Sequence, residues 1–289
     1  MKYEEYITQL GFAEDELKIL SDIHKRCEEK EFFEEFSRAR AEYDKGDEAF
    51  EEYLNAFADK SGIHINTLNL YIYMRFLEDT YAEYKKLGIG DDIFLKTMSG
   101  FSVASRMTKE NGLAFGVQQP VYRQWYRREL GAVIFAIGLL SFEIVKAPCN
   151  MEVNGKCINE GETCISVHIP RFAKWDNETC EETYAEARSF FKKFFGMNDV
   201  FFICRSWLLY PWLEEVLPEN SKILDFKRKY KIVEVMENNL GMKWIFNWGI
   251  DPGDEVNYEE LPEDTSLRRA AKARLLSGKN IGAAMGVRL

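Results

Sequence analysis

Near residue 138 the spacing of the apolar side chains changes from the three-and-four of a helix to the two of a strand. A chain whose period changes once, midway, needs two differently built parts. Upstream, Leu17, Leu20 and Ile23 recur at helical spacing, as do Phe32, Phe36 and Ala39, and Leu68, Tyr71, Met74, Phe76 and Leu77, with charged residues between them. From Glu14 to Gly116 this predicts roughly four to six helices, broken at Gly46, Gly62, Gly88, Gly90 and Gly112. Pro120 closes that region, and Tyr122 to Ala136 reads as one more helix.

Downstream, Leu140, Phe142 and Ile144 alternate with Ser141 and Glu143, and Val153-Asn154-Gly155-Lys156 carries the Asn-Gly signal of a tight hairpin. In Cys164 to Ile169, the residues Ile165, Val167 and Ile169 share one face, while Cys164, Ser166 and His168 share the other. Three antiparallel strands are therefore expected between 139 and 169. Glu178 to Phe195 follows as a helix with Tyr184, Ala187 and Phe191 on its apolar stripe, capped by Asp176 or Asn177 and ended by Gly196. Strands are expected at Val200 to Cys204, Ile232 to Met236 and Lys243 to Trp248, with helical turns at Trp207 to Leu217 and Ser221 to Lys229. The fold class is α+β: a helical domain over 1–120, then a mixed, mostly antiparallel sheet flanked by helices over 121–289.

Charge narrows the partners. The chain carries 38 basic and 48 acidic side chains, a net −10, which argues against nucleic acid because phosphate binders replace counterions with excess positive charge. Residues 1–120 hold 15 basic and 24 acidic side chains, or −9, leaving −1 for the rest. The run Glu28 to Glu35 reads as solvated surface. Ser266 onward is basic throughout (Arg268, Arg269, Lys272, Arg274, Lys279, Arg288) and is expected to pair with the acidic helical part or to approach a phosphorylated ligand. The longest apolar run, Leu130 to Phe142, is shorter than the roughly 20 residues of a spanning helix, and Met1 to Tyr6 is acidic rather than a secretory leader, so a cytoplasmic, unanchored protein is expected. Six cysteines without a C-x-x-C pair read as reduced thiols. The gaps between Cys149, Cys157, Cys164 and His168 do not match zinc ligands, so no metal is expected.

The element order from 139 onward resembles a bacterial family of two-part, acyltransferase domain-containing proteins. The local sequences Leu139-Leu140-Ser141-Phe142-Glu143, Ile165-Ser166-Val167-His168-Ile169-Pro170, Cys204-Arg205-Ser206-Trp207-Leu208-Leu209-Tyr210-Pro211 and Asp264-Thr265-Ser266-Leu267 carry that resemblance. In that family a helical N-terminal domain precedes a GNAT-like C-terminal domain. The resemblance covers nearly the whole chain and is strongest from Trp125 to Leu289. It implies transfer of an acyl group from acetyl-CoA or another acyl-CoA to an amine of a small-molecule or peptide acceptor, by direct attack, in a groove between the third and fourth long strands.

Roles follow from that resemblance. Backbone N–H groups from Val167 to Ile169 would hold the thioester oxygen, His168 would act as general base, and Tyr210 or Ser206 as the acid for the leaving thiolate. Glu143, outward on its strand, could contact the amine; a solvated position is its plainer alternative. The sequence departs from the family in the loop Arg171-Phe172-Ala173-Lys174-Trp175-Asp176-Asn177-Glu178, which lacks the glycines with which GNAT enzymes cradle pyrophosphate. Arg171 and Lys174 supply charge in their place. That departure raises the alternative of a non-catalytic GNAT-like module that binds a ligand or a protein. His168 and Tyr210 also suit purely structural, hydrogen-bonded roles, and Cys204 as a covalent nucleophile is a third reading, against which its apolar strand stands.

Overall fold

The structure, a computed structural model, describes residues 1–27, 29–118, 123–170, 177–246 and 255–289. The chain forms two compact units, Met1–Ile137 and Gly138–Leu289. No helix among the described residues is long and apolar enough to cross a membrane.

The first unit contains α1 (Tyr3–Ile7), α2 (Glu14–Arg26), α3 (Lys30–Lys45), α4 (Asp47–Ser61), α5 (Ile65–Lys86), α6 (Asp91–Met98), α7 (Gly100–Glu110) and α8 (Arg123–Leu130), then a short strand, β1 (Ile134–Ile137). Six of these helices fall between Glu14 and Gly116, at the upper end of the expectation, and the five glycines named above lie at their ends. Helix α5 is the core. The run Leu70, Tyr71, Ile72, Tyr73 and Met74 is wholly buried, because α1, α3, α4 and α8 pack around it, which is how a helix apolar on every side stays in water. The expected helix from Tyr122 to Ala136 stops at Leu130. The apolar run Ile134-Phe135-Ala136 carries no period to separate helix from strand, and it pairs as β1.

Helix α8 buries a carboxyl. Trp125 Nε1 donates to Glu129 Oε1 at 2.9 Å, Oε2 is buried without a partner, and burial pushes the pKa up from the ordinary carboxylate range to about 8. Folded protein then holds a proton that the unfolded chain releases, so the contribution of this group to stability is fully present below about pH 4.5 and is lost as pH rises through about 8. Glu129→Gln is expected to remove a loss on the order of 2 kcal/mol between pH 5 and pH 8. Urea unfolding at the two pH values checks this, and an unchanged slope would refute it.

The second unit contains β2 (Leu140–Lys146), β3 (Met151–Val153), β4 (Lys156–Ile158), β5 (Thr163–His168), α9 (Asn177–Phe195), β6 (Phe202–Ser206), α10 (Leu213–Val216), α11 (Lys222–Lys227), β7 (Lys231–Met236), α12 (Leu240–Ile245), α13 (Ser266–Leu276) and β8 (Ala283–Arg288). Its main strands run in the order β2-β5-β6-β8-β7. The β5–β6 pair is parallel, and β2–β5, β6–β8 and β7–β8 are antiparallel. β3 and β4 form a separate hairpin, whose Asn154 and Gly155 hold φ of 52° and 75°, the left-handed pair that an Asn-Gly turn exists to supply.

Three assignments change. Between 139 and 169 there are four strands in place of the expected three, because the hairpin β3–β4 stands apart from the antiparallel β2–β5 pair. Residues 240–245 are helix α12, so the expected strand Lys243 to Trp248 does not form over its described part, positions 247 and 248 lying outside the described residues, and the closing strand is β8 instead. Every residue of β8 is buried, which erases the alternation that marks a half-exposed strand.

Helix α9 covers one face of this sheet. Its Tyr184 lies 5.9 Å from Phe142 and 5.1 Å from Phe202, ring to ring. The opposite face, with Cys164, Ile203 and Val287, packs against Met151, Val153 and Ile158 of the hairpin. The C-terminal basic residues pair inside their own unit: Arg268 with Asp264 at 2.9 Å, Lys272 with Glu263 at 2.7 Å and Arg288 with Glu181 at 2.9 Å.

Candidate active site

Strands β5 and β6 are joined through α9 and share a short ladder, with only Ile165 opposite Phe202 and Ser166 opposite Ile203. Each then continues with its other neighbour. β5 pairs with β2 through Val167 and His168, and β6 pairs with β8 through Cys204, Arg205 and Ser206. The sheet therefore opens between β5 and β6 at their C-terminal ends, the edge at which parallel strands generally present ligand sites. Ile165 N–H donates to the Phe201 carbonyl at 2.9 Å, so its backbone groups face β6. Alternate residues turn the same way, and Val167 aims its N–H toward β6 past the last paired residue.

His168 ends β5 at this opening. Its Nε2 lies 2.7 Å from Oε2 of Glu143 on β2. Glu143 stands opposite Ser166, and Ser141 opposite His168, so the two side chains are diagonal neighbours on one face of the sheet. The imidazole is 28% exposed and the carboxylate only 10%. Glu143 is thus buried and paired, not solvated. With the carboxylate accepting the Nε2 proton, an assignment made from this contact, the lone pair of the neutral ring lies on Nδ1. The pair combines a shielded anion with an imidazole a substrate can reach.

Ser206 closes β6, and its hydroxyl oxygen accepts from Leu208 N–H at 3.2 Å, capping the 3-10 turn Trp207–Leu209. Beyond that turn, the Tyr210 hydroxyl donates to Glu237 Oε2 at 2.5 Å and accepts from Arg274 Nη2 at 3.2 Å. Burial, together with the Glu237 bond, raises its pKa, so the phenol stays protonated. Both residues lie at the same sheet edge as His168, but their hydrogen bonds run to other partners. Arg171 and Lys174 fall outside the described residues.

Cys204 is wholly buried, and burial pushes its thiol up to about 12, which suppresses the thiolate. Iodoacetamide is expected to leave Cys204 unlabelled in the folded protein, with Cys204→Ala retaining turnover. Labelling of native Cys204 would revive the nucleophile reading.

Residues 134–288, more than half the chain, match the model of the GNAT-like C-terminal domain family. The chain belongs to that family. Residues 1–130 match the N-acyltransferase N-terminal domain, so α1 to α8 correspond to the one domain, and the GNAT-like domain takes in β1 to β8. Two solved structures share the fold. An acyltransferase in complex with decanoyl-CoA and teicoplanin is 20% identical, with 79% of this chain and 68% of that one covered and a TM-score of 0.65. An acyltransferase in complex with CoA and 10C-teicoplanin is 17% identical over 100% of this chain and 99% of that one, also with a TM-score of 0.65. No curated protein matches the chain.

Within the GNAT-like domain, the sequence did not join Glu237 or Arg274 to Tyr210; Glu237 was not singled out, and Arg274 was read only as one of the C-terminal basic residues. They lie 27 and 64 residues away from it, and no local pattern links them. The Glu143–His168 pair had a partial signal, since each falls on the polar side of an alternating strand, but only the β2–β5 register joins them.

Proposed function

We propose that this chain is an acyl-CoA-dependent N-acyltransferase whose reaction takes place where β5 and β6 part. The observation that carries the reading is the short β5–β6 ladder, with the His168–Glu143 pair at its open end. The solved relatives bound to decanoyl-CoA or CoA support the donor, and the N-acyltransferase N-terminal domain supports nitrogen as the nucleophile. The Val167 and Ile169 N–H groups hold the thioester oxygen. The acceptor amine attacks the carbonyl carbon and its proton passes to Nδ1 of His168, which Glu143 orients. The C–S bond breaks, and Tyr210 gives its proton to the thiolate while Arg274 stabilises the phenolate left behind. Exchange with solvent resets both groups, so the net products are an amide and free CoA. Ser206, already used as a cap, is the second candidate acid. Arg171 and Lys174, with the N-terminus of α9, meet the phosphates of CoA. The acceptor is a small-molecule or peptide amine; for one relative, the complex contains teicoplanin.

Calorimetric titration of CoA and decanoyl-CoA tests the donor. Micromolar binding, weakened by Arg171→Glu, is expected. No binding of either would overturn the reading in favour of a non-catalytic module.

A further inference from the structure

The Tyr210 hydroxyl sits in a closed ring of hydrogen bonds. It donates to Glu237 Oε2 at 2.5 Å, and the Glu237 carbonyl accepts from Asn280 Nδ2 at 3.1 Å. The Asn280 carbonyl accepts from Arg274 Nε at 2.6 Å, and Arg274 Nη2 returns to the phenol oxygen at 3.2 Å. Residue 237 follows β7, Arg274 is on α13 and Asn280 lies in the chain entering β8, so three segments close on one hydroxyl. The Arg274 guanidinium carbon lies 5.7 Å from the centre of the Tyr210 ring and 5.2 Å from that of Trp212, which further limits its freedom.

Glu237 and Arg274 carry opposite charges, yet they meet through the phenol oxygen, and among the described residues neither pairs with another charged group. They are the charged groups acting on that hydroxyl; the cluster packed around the ring, with Trp212, Leu213, Met242 and Ile281, is apolar. Tyr210 is 2% exposed, whereas Glu237 is exposed. A buried phenol is satisfied by one partner. This one is held at its proton by an anion and at its oxygen by a cation, and the two act oppositely: the carboxylate opposes a phenolate and the guanidinium favours it. We infer that Glu237 is a positioning residue for the acid step, holding the Tyr210 proton, against the pull of Arg274, until the leaving thiolate takes it. The inference rests on the reading of Tyr210 as the acid. The O–H bond of the phenol breaks as the S–H bond of CoA forms, the phenolate charge rests on Arg274, and Glu237 stays ionised throughout.

The full chain carrying tyrosine labelled with carbon-13 at Cζ tests this, since the resonance missing from Tyr210→Phe reports ionisation of that phenol. Glu237→Gln keeps the shape and removes the anion, so its Tyr210 resonance is expected to titrate at lower pH than in the unmodified protein, and Arg274→Gln at higher pH. Glu237→Asp, which keeps the anion, is expected to return the titration toward that of the unmodified protein. The alkaline limb of CoA release from decanoyl-CoA and n-butylamine is expected to move with the resonance. A structural ring would change melting temperatures and leave both readouts in place. Equal titration in Glu237→Gln and the unmodified protein, or a shift in the same direction in Glu237→Gln and Arg274→Gln, would overturn the inference. The resonance needs no acceptor, so it decides the hold of Glu237 on Tyr210 even where n-butylamine is not taken. A resonance that moves while the limb of CoA release stays fixed would overturn Tyr210 as the acid, a separate failure.

Discussion

Replacing His168 by alanine is expected to lower kcat/KM for the acyl acceptor by about a hundredfold to ten-thousandfold, the range that a positioned general base supplies. The loss should fall on kcat, with CoA affinity unchanged, because His168 acts on the amine and not on the phosphates. Because the change also takes a partner from the buried Glu143 carboxylate, a modestly lower melting temperature is expected beside it, and the rate is read well below that temperature. Added imidazole is expected to restore part of the rate by entering the space left behind. Glu143→Gln tests the second half of the pair: the amide keeps the shape but removes the anion that accepts the Nε2 proton at 2.7 Å, so a smaller loss, again in kcat, is expected. A merely structural pair would lose stability alone, keep the turnover of the folded enzyme and gain nothing from imidazole. Full turnover by His168→Ala would end its assignment as base, whatever the titration of CoA shows.

What the sequence revealed of this site depended on whether the information was local. Helix α9 was expected from Glu178 to Phe195 and is found from Asn177 to Phe195, because its apolar stripe and the terminating glycine lie within one segment. The Asn154-Gly155 turn was legible for the same reason. The open edge was legible only in part. That the strand from Val200 and the third strand form a groove came from the family resemblance, but the point at which β5 and β6 separate is set by what each pairs with on its far side. β8 supplies that pairing for β6, and it is built from Ala, Met, Gly and Val with a terminal Arg288, buried throughout, with no alternation to betray it. α12 was misjudged because Met242, Trp244 and Ile245 have the apolar content of a strand over too few residues to establish a period. Glu143 was taken by its plainer reading as solvated because burial of a carboxylate follows from a partner across the sheet, which its own strand cannot announce.

Gly282 is expected to be the most sensitive of the three C-terminal glycines, which recur every fourth residue in the sequence without forming a motif. A Cβ on Gly282 would lie 2.1 Å from the carbonyl oxygen of Met236, where β7 ends, and 2.8 Å from Cε2 of Tyr210. The first neighbour is backbone, held by the Met236–Ala283 register between β7 and β8, so it has little freedom to give. Overpacking of this kind costs about 3 kcal/mol, near the upper end of its usual range, and a melting temperature lower by on the order of 10 °C follows for Gly282→Ala. At Gly286 the Cβ would meet the Tyr230 Cβ, an atom fixed to its own backbone, at 2.8 Å and the Leu209 side chain at 3.2 Å, a milder overlap than the 2.1 Å at Gly282, so a smaller but still substantial loss is expected. At Gly278 nothing lies within 4 Å, and only the left-handed φ of 76° opposes a side chain, worth about 1 kcal/mol. Melting the three alanine variants side by side checks the order 282, then 286, then 278. Since the Gly282 contact presses on the ring of Tyr210, that variant should also lose turnover at temperatures where it remains folded, and the other two should not. Equal melting temperatures for the Gly282 and Gly278 variants would mean that the chain entering β8 can move away from β7, and with it the ring proposed to protonate the leaving thiolate.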